Sequence, residues 1–533
     1  MRNLGVTHRA IRPTNLYWMT AERDRMVLGD CVTVPPGLEQ PVVYEPVGSG
    51  MCQPAGRGAG NYVDDSYSFG ASLVALLRGR PLRQADDEVI IRQKILQGSY
   101  QVLVGEDRVP VQVIEVLRGL LCDDPEDRWS IESLDLWLAG RRLTPLLTKT
   151  EKRAARGFAL GGKEYASARE LAIAMNRNFE TAAQAIIDGR LELWLRRSLD
   201  QNEKASAISN IMHFAVAAAA EKRPAFDMMV ARVCMVLDNQ APIRYKGLAA
   251  MPDGLGSLLA VTLVAGGDIK IIVEAMVREA AKAWFETRDT YSPDNSMMEG
   301  NFREQKAFLE RVSIGNGVER VLYELNDSMP CISPYVVNDY VIDIRDLLPA
   351  LNAAAAKADN KGWPIDRHIA AFIAARAQFD VERQLIDLAD PRAERSSLGM
   401  LNMLALLQWR LGQGGLYSLG GWIGAMLGPA VNSYHNREHR RVLEKEIPRI
   451  IREGSLIDLA RLIDNPEERM KDQQGFAQAR YDWIDANREV QSIEGGDIDA
   501  NAETVRTARQ LAALVSVTIS LVTVSLLAIS RFF

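Results

Sequence analysis

His8-Arg9-Ala10-Ile11-Arg12-Pro13-Thr14-Asn15-Leu16 decides how the first quarter of this chain is read. Ala10 and Asn15 stand five positions apart, and Ala10 ends in a methyl group that cannot accept a proton. Four further stretches follow in order. They are Leu28-Gly29-Asp30-Cys31-Val32, Gln53-Pro54-Ala55, Asp65-Ser66-Tyr67-Ser68-Phe69-Gly70, and Leu120-Leu121-Cys122-Asp123-Asp124-Pro125-Glu126-Asp127-Arg128. Between the second and the fourth lies a glycine-rich run, Gly48-Ser49-Gly50 to Gly58-Ala59-Gly60. It lacks the G-K-[ST] ending of a phosphate-binding P-loop and is read as a flexible loop.

Taken in order, these stretches resemble the large lobe of a protein kinase of the serine/threonine type, in degenerate form. The first resembles the catalytic loop H-R-D-L-x-x-x-N, whose Asp accepts the substrate proton and whose Asn holds magnesium. Ala10 occupies the position of the catalytic Asp, and Arg12 that of the lysine that usually follows. The second resembles D-F-G with only its Asp kept, the third A-P-E without its Glu, and the last two the D-x-W-S-x-G and L-L-x-x-D-P-x-x-R motifs. The resemblance covers residues 1–142 and implies a pseudokinase. It leaves Asn15 and Asp30 as vestigial magnesium positions. It gives structural roles to His8, Arg9, Asp65 and Arg128, with Asp65 bracing the catalytic-loop backbone. It gives Arg9 the role of meeting a phosphorylated activation loop, in the region of Tyr44 and Ser49. Arg128 has no A-P-E carboxylate opposite it, since Ala55 stands there, and must pair elsewhere or stay solvated.

Residues matching a kinase small lobe, with its Gly-rich loop and strand lysine, are not found in the sequence. The expectation is therefore a large-lobe segment lacking the small lobe, with no cofactor and no phosphoryl transfer. The alternative is a membrane serine/threonine kinase with a misassigned start, using ATP and magnesium.

The C-terminal end carries a second signal. Residues 511–530 hold no charge, Gly or Pro. At 1.5 Å per residue, about 20 helical residues span roughly 30 Å, the thickness of the hydrocarbon layer. Arg506 and Arg509 precede the run and Arg531 follows it, which agrees with the positive-inside rule. The reading is a single-pass tail anchor behind a juxtamembrane linker, residues 494–510, with the bulk of the chain cytoplasmic. Ala512, Ser516 and Ser520 share one face, and small residues are tolerated there without forming a helix-pairing seam.

A chain of 533 residues, 47% hydrophobic and 25% charged, is ordinary for globular protein and long enough for more than one core. A net charge of −6 gives no case for nucleic acid. The five cysteines form no C-x-x-C pair, so neither a zinc site nor a disulfide framework is supported. A reducing setting follows.

The middle of the chain reads as helical: a linker over 143–157 with a basic cluster (Lys149, Lys152, Arg153, Arg156), then an all-helical, solenoid-like domain over 158–493. Ser167 and Glu170 have capping-box spacing. Leu171, Ala174, Met175, Ala182, Ala185 and Ile186 recur at helical intervals, and Leu191, Trp194, Leu195 and Leu199 define a second face. Ile186-Ile187-Asp188-Gly189-Arg190-Leu191 and Ile450-Ile451-Arg452-Glu453-Gly454-Ser455-Leu456 share a helix–Gly–Leu–helix pattern. Residues 333–344 are expected to be extended, and residues 416–430 to form a buried hairpin or, as the alternative, a membrane-surface contact. His435 and His439, four apart, are read as a charged helix surface and not a metal site, which needs three or four ligands. The fold class is thus mainly α. Partners are a membrane and other proteins, with the oligomeric state left open.

Overall fold

The computed structural model describes residues 5–30, 35–82, 86–145, 151–220, 225–288, 293–357, 362–495 and 502–532. Cys31, Val32, Lys149 and residues 496–501 of the juxtamembrane stretch lie outside them. The described chain is mainly helical, and its strands form three two-stranded antiparallel hairpins. It divides into two compact units. One is Met1–Leu347 with Ile365–Val381; the other is Leu348–Pro364 with Glu382–Phe533.

In the first unit, the central helix of the N-terminal part is Tyr62–Arg78. Asn61 caps it, accepting from Val63 and Asp64 N–H, while the Asp64 carboxylate accepts from Asn61 N–H. This reciprocal box satisfies donors that the first turn leaves open. Gly79, at φ 62°, ends the helix. Tyr67, Ala71, Val74 and Ala75 turn inward on Ile90, Ile91, Leu103, Leu117 and Leu121. The Asp87–Gln97, Ser99–Val104 and Val111–Leu120 helices supply those partners, with Leu121 at the end of the last.

A second core gathers Leu171, Met175, Ala182, Ala185, Ile186, Leu191, Trp194, Leu195 and Leu199, as the spacing predicts. The 143–157 stretch is not a free linker. Ala154 is buried in that core, and its N–H donates to Ala166 O at 2.8 Å. The capping box at Ser167 is half-formed: Ser167 Oγ accepts from Glu170 N–H, but the Glu170 carboxylate turns to Arg92 Nε at 2.6 Å. A full charge outcompetes a backbone amide for that carboxylate.

The glycine-rich run corrects its reading as a flexible loop. It carries a short helix, Val47–Gly50, and a 3-10 turn, Pro54–Gly56. Met251 N–H donates to Gly56 O and Gln53 N–H to Ala249 O. A Cβ on Gly254 would lie 2.2 Å from Gly56 O. These glycines permit close approach of two backbones. Residues 333–344 also differ from expectation: a 3-10 turn, Val337–Asp339, stands where extended chain was expected.

The second unit is helical throughout its described residues. Residues 416–430 form helices, Tyr417–Met426 and Gly428–Asn432, in place of a hairpin, and bury one face through Leu419, Trp422, Ile423 and Ala430 while Tyr417 is exposed. A Cβ on Gly424 would meet Ile451 Cδ1 at 2.3 Å, so glycine lets the Tyr417–Met426 and Arg437–Glu453 helices touch. Gly189 and Gly454 both take left-handed φ between two helices, 71° and 69°. Two such turns do not amount to a stacked array. The last helix, Ala502–Phe532, begins inside the 494–510 stretch read as linker, because residues 502–510 contain neither Gly nor Pro to stop it. Within it, Thr504–Arg531 holds an 18-residue stretch with a mean hydropathy of 2.4 and no buried part. It is long and apolar enough to cross a membrane.

Candidate functional site

The His8–Asn15 loop is held from below by Asp65, in the first turn of the Tyr62–Arg78 helix. Its Oδ2 accepts from His8 N–H at 2.6 Å and its Oδ1 from Arg9 N–H at 2.8 Å. Arg9 has φ 55°, a conformation that disfavours any side chain. Two charge-assisted bonds on adjacent amides fix it. Burial raises the Asp65 pKa above the ordinary Asp value, and the His8 and Arg9 amides pull against that rise. Asp65→Asn keeps one acceptor and turns an NH₂ toward the other amide. The expected loss is about 2 kcal/mol, read as a lower urea midpoint with an unchanged slope.

His8 is buried with both ring nitrogens engaged. Nδ1 accepts from Ala10 N–H at 3.2 Å, so the Nε2–H faces Gly29 O at 3.2 Å. The geometry selects the neutral Nε2–H tautomer. Ala10 itself is 3% exposed. Asn15 Nδ2 donates to Ala10 O at 3.0 Å and to Asp30 O at 2.9 Å. Asn15 thus ties two loops together through carbonyls, and its Oδ1 lies so close to Gly29 that a Cβ there would sit 2.3 Å away.

Asn15 and Asp30 are brought together, but through the Asp30 backbone; the Asp30 residue is exposed. Magnesium prefers six oxygens in octahedral array. Among the described residues no group of three or more His, Cys, Asp or Glu could hold a metal.

Arg9 reaches a carboxylate within its own fold. Its guanidinium is buried, with Nη2 2.9 Å from Glu45 Oε2 and Nη1 3.9 Å from Asp64 Oδ2. Ser49 Oγ donates to the same Glu45 oxygen. Tyr44 and Ser49 are buried beside it. Arg128 is buried and paired, not solvated. Nη1 contacts Asp64 Oδ1 at 3.2 Å, Nε donates to Cys122 O, and the guanidinium lies over the Tyr67 ring at 5.2 Å.

Sequence reasoning missed Glu45 and Lys94. Lys94 is 1% exposed, and its Nζ donates to the carbonyls of Val42, Val43 and Glu45 at 3.0, 3.1 and 2.7 Å. Glu45 stands inside an apolar run, Val42-Val43-Tyr44-Glu45-Pro46-Val47, whereas Lys94 follows Arg92 and Gln93 and looks like an ordinary helix-surface lysine. For Glu45, an ionic residue in such a run was the available signal. The described cysteines, Cys52, Cys122, Cys234 and Cys331, are free and buried.

His435 and His439 point to separate partners. His435 Nδ1 is 3.0 Å from Asp472 Oδ2 and its ring stacks on Phe476 at 3.8 Å. His439 lies 4.7 Å from the Tyr434 ring.

No protein-family model, curated protein or solved structure matches the chain.

Proposed function

We propose that this protein is a membrane-anchored, kinase-like docking protein that binds partners without phosphoryl transfer. The single observation that carries the reading is the buried methyl of Ala10, tied through its carbonyl to Asn15. Where the kinase resemblance puts a proton acceptor there is none. The resemblance is supported by the Asp65 carboxylate under His8 and Arg9 and by the Asn15 bond to Ala10 O. Arg9 is held by Glu45, so no phosphate is needed to order this loop. The helical region supplies the docking surface. The Thr504–Arg531 helix supplies the anchor, with the remainder of the chain on the cytoplasmic side.

Purified full-length chain in detergent micelles, incubated with labelled ATP and magnesium, is expected to transfer no phosphate to itself or to a generic protein substrate. Its melting temperature is expected to stay unchanged by the nucleotide. Labelling that disappears in Asp30→Ala would establish the rival reading, an ATP-dependent membrane kinase.

The anchor is tested separately. The full chain is expected to stay in the membrane pellet after alkaline extraction. A Val517→Arg/Leu521→Arg variant is expected in the supernatant, since each central Arg costs about 2.5–3.5 kcal/mol of insertion. Equal retention of both would refute insertion of this helix.

A further inference from the structure

The first unit encloses a cavity of about 460 Å³, within the range of small-molecule sites. Its walls come from the glycine-rich run, the Asp87–Gln97 and Ala168–Arg177 helices, and the hairpin of Ile243–Tyr245 with Leu248–Ala250. Two buried arginines line it from different segments, Arg57 at 2% and Arg244 at 1% exposure. Each has a donor left over. Arg57 Nη1 donates to Gly37 O and Gln40 O, yet its Nε has no partner. Arg244 Nη2 meets Asp238 Oδ2 at 3.3 Å and Met51 Sδ at 3.0 Å, yet its Nη1 has none. A buried guanidinium N–H without an acceptor is costly.

The local charge is also unbalanced. Asp238 is shared between Arg244 and Arg169, whose Nε lies 3.0 Å from it. Among the described residues of this unit, Arg9, Arg57, Lys94, Arg128 and Arg244 are buried cations. The buried carboxylates are Glu45, Glu170 and Asp238. Of the acids lining the cavity, Glu170 is taken by Arg92 and Glu88 by Arg177, while Asp87 is exposed. Ile91, Ile173 and Met51 make part of the wall apolar. A bare inorganic ion would leave most of such a volume empty.

We propose that this cavity binds a small organic anion. Its carboxylate or phosphate group lies on the cationic part of the lining, beside Arg57, Arg244 and Lys163, and its apolar body lies against Ile91 and Ile173. A guanidinium fork suits either anionic group. The inference is independent of whether the chain transfers phosphate.

The test is equilibrium dialysis of the full-length chain in micelles, blanked against micelles alone, with three probes: phenyl phosphate, benzoate and neutral benzyl alcohol. Saturable binding of one anion per chain is expected, with no saturable binding of benzyl alcohol. Whichever anion binds tighter names the ligand's head group. Arg57 and Arg244 also hold the fold, so two other variants locate the site, each checked for an unchanged circular dichroism spectrum. Ile173→Trp fills the apolar end, and Lys163→Glu reverses a charge on the lining. At least a tenfold weakening is expected for Ile173→Trp and a smaller one for Lys163→Glu. Failure of both anions to saturate, equal uptake of benzyl alcohol, or unchanged anion binding in folded Ile173→Trp would each overturn the assignment.

Discussion

Glu45→Ala is expected to destabilise the N-terminal part of the first unit by about 3–5 kcal/mol, the usual result of stripping one partner from a buried ion pair. Arg9 and Glu45 have side chains 1% and 0% exposed, so neither can fall back on water. Asp64, 3.9 Å from Arg9 and also held by Arg128, is a poor replacement. The measurement is native-state hydrogen exchange of the Tyr62–Arg78 amides. Protection should fall by roughly two to four orders of magnitude, since each 1.4 kcal/mol is tenfold. Arg9→Met/Glu45→Leu removes both charges, and should recover most of that loss. If the single variant exchanged like the parent, the pair would not be holding the His8–Asn15 loop.

The second large effect is at Lys94. Lys94→Met leaves the carbonyls of Val42, Val43 and Glu45 without their donor, and a loss of roughly 3 kcal/mol is expected. The size should depend on pH. Burial lowers the Lys94 pKa from 10.5 to about 7. Between those values the native state binds fewer protons than the unfolded chain. The Lys94 contribution to stability therefore rises with pH across that window and is flat below it. The difference between parent and Lys94→Met should be larger at about pH 9.5 than at about pH 7. Buried Tyr67, Cys52 and Cys234 push the other way at high pH, because burial raises their pKa values. They are common to both proteins and cancel in the difference. Paired urea titrations read it, and a pH-independent difference would mean that Lys94 keeps its proton throughout.

Much of the local structure was legible in the sequence because it depends on neighbours three and four residues away. The inward faces of the helices between residues 168 and 199 follow from apolar spacing, and each of the ten residues named there is buried: Leu171, Ala174, Met175, Ala182, Ala185, Ile186, Leu191, Trp194, Leu195 and Leu199. The apolar helical run over 511–530 follows from composition alone, while the start of its helix at Ala502 lies in the stretch read as linker. The bonds from the His8 and Arg9 amides to Asp65 join residues more than 50 positions apart, and no local spacing foretells them.

What was not legible came from long-range pairing. Arg9 and Glu45 are 36 residues apart, and Lys94 and the Glu45 carbonyl 49. No periodicity links them. The glycine-rich run was misread for the same reason. Glycine serves flexibility and close packing equally well, and the partner that decides between them, Gly254, lies some 200 residues on. The Glu170 side chain was assigned to its own helix start, yet Arg92 from another helix outbid the backbone amide.

By itself the sequence determined the apolar C-terminal helix and the helical faces of the middle region, since composition and spacing need no partner. The tertiary structure alone decided which buried charges meet, that Asn15 serves as a tie between carbonyls, and that Arg57 and Arg244 line one cavity. Those outcomes depend on desolvation, which exists only once distant segments have closed around the same side chain.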